Sequence, residues 1–365
     1  MKKWPGALVV LLKMSTDDKL IAGATSMGKD GAVQRKMQDW GFILAILGVV
    51  ALALFRPGAG SPGGLLRPEL TTVPVVMLLF FLQGLHLPTR ALLEGWRSGP
   101  YLGVSLLVMF LLSPLFALLL LGPFGWLLGW DRDLLLGILF LALLPTTVAT
   151  STIYTDLAGG DRVTALYNAG ISNLLALLYV PWVIFLTGQT GEMLAPPREL
   201  VMGISAYLFL PFVLGQVVRH VMRPMLEALR PWTRRVSHAG VLYIFYCALA
   251  GAVAGGEFAL LKGATLLVLG LFVFLFYAGL SVFCRRVSMA GWFAPGQRIG
   301  LCFTWPQKSV ALGVPLASVL FPDYAGLGVL LLPLLIYHPL QLIHGALLAA
   351  KWARNPPRWK IKDEG

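Results

Sequence analysis

The chain has 365 residues, 57% of them apolar and only 13% charged, with a mean hydropathy of +0.77. These figures exclude the pair of soluble domains that length alone would favour and identify an integral membrane protein. A formal charge of +12 would suit nucleic acid in a soluble protein. Here the apolar runs are too long for the roughly ten-residue alternation of a β-barrel, and the positive charges have to be placed against membrane topology first.

Residues 1–38 read as a polar cytoplasmic leader. A short apolar stretch, residues 7–12, is too short to span, and Lys13, Asp17 and Asp18 follow it without a small-residue cleavage site. A spanning helix needs about 20 mostly apolar residues, fewer where it is broken. On that measure ten spans are predicted, at residues 40–55, 71–87, 101–121, 134–158, 163–187, 200–218, 239–254, 264–284, 298–320 and 324–350. The ten-helix domain is thus expected over 39–355, with a basic cytoplasmic tail at 356–365. The three cysteines, Cys247, Cys284 and Cys302, each lie alone in an apolar run, which fits inert thiols rather than a disulfide frame or a zinc site.

With both termini cytoplasmic, 23 of the 29 Lys and Arg fall in cytoplasmic segments and 5 outside, namely Arg56, Arg67, Arg132, Arg198 and Lys262. That asymmetry is what the positive-inside rule requires, and a count of nine or eleven spans would scramble it. The basic surplus therefore reads as topology and contact with anionic lipid, not nucleic-acid binding, in a bacterial inner (plasma) membrane. The remaining cation, Lys308, falls inside a span.

Two segments repeat each other's punctuation. LLPTTVATSTIYTDLAGGD occupies 143–161 and TWPQKSVALGVPLASVLFPD occupies 304–323, placing Pro145 and Pro306 161 residues apart and Asp161 and Asp323 162 apart. Each segment is the fourth element of a five-span half. Five is odd, so the second half enters from the opposite side: an inverted repeat, 39–188 and 199–352. A mid-span proline removes a backbone donor and breaks or kinks the helix. Polar residues crowd both breaks: Thr146, Thr147, Thr150, Ser151 and Thr152 in one, Gln307, Lys308 and Ser309 in the other. In a single helix such hydroxyls commonly bond back to their own carbonyls. Paired breaks in corresponding positions point instead to a transporter binding site, with half-helix ends suited to ions.

At these residues the sequence resembles the bile acid:sodium symporter family, in its SBF-like branch. MLLFFLQGLHLPTRALLEG (77–95), the first repeat segment, WPQKSVALGVPLASVLFP (305–322) and LLPLLIYHPLQLI (331–343) carry the likeness, which covers about 38–355. The resemblance implies an all-α fold of ten transmembrane helices in panel and core domains, with helices 4 and 9 discontinuous and crossing beside the ion and substrate sites. It also implies alternating access by movement of one domain against the other. Residue by residue, the family's Ser-Asn pair falls near Ser151 and Thr152. Its two hydroxyl ligands on the fifth helix fall on Ala165 and Ala169, its acidic sodium ligand on Thr304, and the following glutamine on Lys308. This chain departs from the usual two-site sodium scheme at the last four positions.

An ammonium at the membrane centre costs about 2.5 to 3.5 kcal/mol even on the lenient insertion scale, so Lys308 is expected to face a polar partner rather than lipid. The hydroxyls of Thr146, Thr147 and Thr150 and the Gln307 amide are the expected helpers. Thr164, Asn168 and Ser172 recur at i, i+4 and i+8, a polar stripe on the fifth span, and Asn173 lies off that stripe; all four serve equally as interhelical glue or ligand. Gln83 and His86 either line the cleft or bond structurally. Asp161 is expected to pair with Arg162 in a loop, with Asp156 a weaker candidate for a cation path. His338 and His344 are six apart, not the i, i+4 of a helical metal pair.

Two function classes follow. The first is a secondary transporter of a small organic anion or amphipathic solute, coupled to sodium or protons, with Gln83, Thr146, Thr147, Thr150, Ser151, Thr152, Asn168, Ser172, Thr304, Gln307, Lys308 and Ser309 as site residues. The second is a membrane regulator that keeps the fold and moves nothing. The sequence has no nucleophile elbow, zinc-helix motif or phosphate loop, so neither catalysis nor a resident cofactor is expected. Neither the identity of the solute nor the oligomeric state is legible.

Overall fold

The computed structural model describes residues 29–89, 99–128, 132–187, 202–257, 263–290, 292–322 and 324–357. Of the positions named above, residues 1–28, 90–95, Arg198, Lys262, Asp323 and the tail from 358 lie outside them. Two compact units part between Ala45 and Ile46. In the first, the described residues form the amino-terminal part of helix α1 (Lys29–Phe55).

The second unit, Ile46–Gly365, is all helical among its described residues. After α1 come α2 (Pro68–His86), then α3 (Gly99–Leu107) and α4 (Ser113–Leu128), which run on through a π turn at Val108–Leu112. Next are α5 (Arg132–Leu143), α6 (Val148–Leu157) and α7 (Arg162–Leu186). A second π turn, Ile204–Phe209, leads into α8 (Leu210–Val221). Then follow α9 (Arg223–Ala254), α10 (Gly263–Met289), α11 (Pro295–Thr304), α12 (Val310–Leu320) and α13 (Leu327–Arg354).

Among the described residues, seven helices are long and apolar enough to cross a membrane, and α5 with α6, bent by 51°, makes an eighth. These match predicted spans two to eight and ten. The first and ninth are represented by shorter pieces: the apolar part of α1, Leu44–Phe55, and the pair α11 and α12. The shortening of the ninth has a local cause. Pro306 cannot donate to the helix ladder, and Gln307, Lys308 and Ser309 offer side-chain bonds that compete with it.

In lipid the hydrophobic effect does not drive helices together, so close backbone approach has to do so. A Cβ at Gly84 on α2 would lie 2.1 Å from the Phe212 carbonyl of α8, and one at Gly215 on α8 would lie 2.2 Å from the Phe81 carbonyl of α2. The two glycines thus face each other's backbone. Gly137 does the same for α5 against α13, 2.2 Å from the Leu330 carbonyl.

The packing around the breaks is an exchange. The half-helices α6 and α12 pack on the helices that follow them, α7 and α13, whereas α5 packs on α13 and α11 on α7. The two second halves begin differently. Thr147 stands extended before α6 and makes no capping bond, whereas the Ser309 hydroxyl caps α12 by accepting from Leu312 N at 3.3 Å. At the start of α7, Asp161 accepts from Thr164 N at 3.0 Å and from the Thr164 hydroxyl. The pairing expected between Asp161 and Arg162 is absent, because the capping bonds hold that carboxylate. Arg162 instead meets Asp156 at 3.5 Å.

Candidate functional site at the crossing helix breaks

Residues 144–147 and 305–309 are the two non-helical segments, and they meet. A broken helix leaves carbonyls at its first end without their usual donors. Here the Ala142 carbonyl near that end and the carbonyls of the break itself have found new ones. The Leu144 carbonyl accepts from Lys308 Nζ at 2.8 Å, and the Ala142 carbonyl from Lys308 Nζ at 2.7 Å and Ser113 Oγ at 3.0 Å. Pro145 O accepts from Ser309 N at 2.9 Å, and Thr146 O from Asn173 Nδ2 of α7 at 2.7 Å.

The second break is served the same way from α13. Gln341 clamps the Lys308 backbone from both sides, accepting from Lys308 N at 2.6 Å and donating to Lys308 O at 2.9 Å. Tyr337 OH donates to Pro306 O at 2.5 Å. The first break is therefore held by Lys308 and Ser309 of the second and by Asn173 of α7, and the second by side chains of α13.

Across the crossing, the hydroxyls of Thr147 and Thr150 both donate to Gln307 Oε1, at 2.5 and 2.6 Å. The predicted residues Thr146, Thr147, Thr150, Gln307, Lys308 and Ser309 thus fall in one connected cluster. Lys308 finds different partners from those expected: its ammonium points to main-chain carbonyls of the α5 end, while the Thr147 and Thr150 hydroxyls are used by Gln307. The reason is chemical. Carbonyls stripped of their donors are stronger acceptors for a cation than hydroxyls that have one another.

The other candidates divide. Ser151, Thr152 and Ser172 are buried but bond back to their own helices, to Thr147 O, Val148 O and Ala169 O; Thr304 does likewise to Gly300 O at 3.0 Å. Gln83 reaches the cluster through Asn173, at 3.4 Å, and His86 bonds Thr233 at 2.7 Å. Asn168 is fully buried, and neither atom of its amide has a hydrogen-bond partner among the described residues. The Gln307 Nε2 and Thr146 Oγ1 atoms are in the same condition. Buried polar atoms are nearly always satisfied, so these three side chains are exceptions to the rule. The neighbourhood of Asn168 includes Ala165, whose Cβ lies 3.8 Å from where a Gly300 Cβ would stand; that Cβ would also lie 3.1 Å from the Tyr101 hydroxyl.

Sequence reasoning missed Gln341 and Tyr337 as supports of the second break. Gln341 is a fully buried amide in an apolar 28-residue helix, and that polarity at membrane depth was the available signal. Asn173 lies off the polar stripe, and its amide bonds the break through Thr146 O.

Paired broken helices that cross inside a multi-pass helical bundle define a transporter-type membrane protein. A model of the SBF-like CPA transporter family matches residues 39–354, and the chain belongs to that family. It is 33% identical over 321 residues to an uncharacterised protein of Pseudomonas aeruginosa, covering 86% of this chain and 93% of that one. It is 30% identical over 342 residues to the putative symporter YfeH of Escherichia coli, covering 88% and 96%. Sodium/bile acid cotransporter 7 of Xenopus tropicalis is 27% identical over 328 residues, 87% of this chain and 92% of the relative. The protein is a bile acid:sodium symporter-like transporter.

Proposed function

We propose that the protein is a secondary active transporter of a small organic anion or amphipathic solute, working by alternating access and coupled to sodium or protons. The observation that carries this is the crossing itself: two helix breaks joined by Ser309 N to Pro145 O, by Lys308 to the α5 carbonyls and by Thr147 and Thr150 to Gln307. A broken helix presents half-helix ends, whose dipoles favour anions at one end and cations at the other. The names of the frog and bacterial relatives, a sodium/bile acid cotransporter and a putative symporter, support the same reading.

The ten-helix, 5+5 inverted-repeat architecture belongs to this proposal, with panel and core domains and both termini cytoplasmic in a bacterial plasma membrane. The exchange in which α5 packs on α13 while α11 packs on α7 supports it, since a pseudo-twofold axis would produce that pairing. Asn168, Thr146 and Gln307, with their unpartnered buried atoms, are the residues we assign to ion or solute contact.

A second reading, a membrane regulator that moves no solute, is favoured by one observation. The hydroxyls of Ser151, Thr152, Ser172 and Thr304 are all satisfied within their own helices. Flux separates the two. Purified protein in proteoliposomes is given a radiolabelled bile acid and other organic anions under an inward sodium gradient, an inward proton gradient, or neither. Gradient-dependent uptake supports transport. Absence of uptake under every gradient contradicts it and favours the regulator.

A further inference from the structure

Lys308 is the one cation of the crossing, and its whole side chain is buried. A neutral donor would satisfy two carbonyls equally well as a hydrogen-bond partner. Gln341 does such work for the Lys308 backbone, and Asn173 does it for Thr146 O. Placing a charge there carries a desolvation cost at membrane depth that a neutral amide avoids. No carboxylate pairs with the ammonium among the described residues. What offsets the cost is the field of the α5 end: two carbonyl oxygens at 2.7 and 2.8 Å from Nζ, lying at the negative end of the helix dipole. A position that stabilises a buried ammonium in this way is a cation site by its chemistry. Half-helix carboxyl ends with unwound carbonyls are where coupling cations bind in broken-helix transporters.

We propose that the Lys308 ammonium is a resident cation, covalently tethered at the Ala142 and Leu144 carbonyls, and that it excludes a metal cation from that position. The inference rests on the transporter reading for its consequence, which is that one positive charge of the transport cycle is supplied by the protein and needs no ion gradient. Its structural content stands apart from solute. Removing the charge and leaving the carbonyls converts the position into an open monovalent-cation site.

The test uses the full-length protein in detergent, without solute. Thermal unfolding is followed in sodium chloride and in N-methylglucamine chloride at equal ionic strength, the second cation being too large to enter. Lys308→Ala and Lys308→Met are compared with wild type and with Lys308→Arg, which keeps the charge. We expect the two neutral variants to gain a sodium-specific rise in melting temperature of about 3 °C or more beyond any rise in wild type. Lys308→Arg is expected to gain none. Neutral variants no more sodium-responsive than wild type contradict the proposal, as do neutral variants that yield no folded protein in sodium as well as in N-methylglucamine. Because no solute enters the assay, its outcome is independent of flux: a chain that fails to transport still shows or lacks the gained cation site.

Discussion

At Asn168 a fully buried amide leaves both of its polar atoms unpartnered, while Thr164 four residues before it and Ser172 four residues after it are satisfied by Asp161 and Ala169 O. An unpartnered buried polar group costs about 1–3 kcal/mol, which a protein built only for stability would avoid. Leucine has the same number of side-chain heavy atoms and the same branch point. We expect Asn168→Leu to raise the stability of the protein in detergent by about 1 kcal/mol, seen as a higher melting temperature, while abolishing gradient-driven uptake. A variant that melts lower, or one that transports normally, contradicts a ligand-binding role for this amide. Lys308 teaches a related lesson. Its charge and depth were legible in the sequence, and so was the need for a partner. The partners themselves were not, because they are the main-chain carbonyls of Ala142 and Leu144, which carry no side-chain signature and become available only when α5 stops at Leu143.

Among the elements, the closest approaches are the ones most exposed to test. Gly84 and Gly215 let α2 and α8 touch backbone to backbone, with a built Cβ 2.1 and 2.2 Å from the opposing carbonyls. By contrast, a Cβ at Gly103 on α3 meets nothing within 4 Å. Gly84→Ala and Gly215→Ala should therefore each destabilise the protein by about 1–3 kcal/mol, since the helices must separate to admit a methyl group. Gly103→Ala should leave the melting temperature unchanged or slightly raised through better helix propensity. Equal melting of all three variants contradicts the close-packed α2–α8 contact. These contacts were hidden from sequence reading, which found Gly84 and Gly215 as two glycines among 40 with no means of pairing them. The breaks were different. Pro145 and Pro306, each followed by polar residues inside an apolar run, announced both interruptions to within a residue or two, because proline acts on its own chain and needs no tertiary partner to be read. The expected Asp161–Arg162 pair failed for the opposite reason, since the carboxylate was drawn into capping α7.

For the molecule as a whole, the apolar content identified a multi-pass membrane protein, and the spacing of the two proline segments pointed to where the helices would break. What the sequence could not display is the exchange by which α5 leans on α13 and α11 on α7, so that the two breaks hold each other. Under the proposed function, that mutual support suits the crossing to be the pivot of alternating access. The crossing can be interrogated without knowing the solute. Cys247, Cys284 and Cys302 are replaced by alanine, a single cysteine is placed at the half-buried Thr147 position, and a membrane-impermeant maleimide is applied to right-side-out and inside-out vesicles. We expect Thr147→Cys to be labelled from both faces, each in the conformation that opens toward it. Labelling from a single face under every ion condition, or from neither face, contradicts alternating access at the crossing.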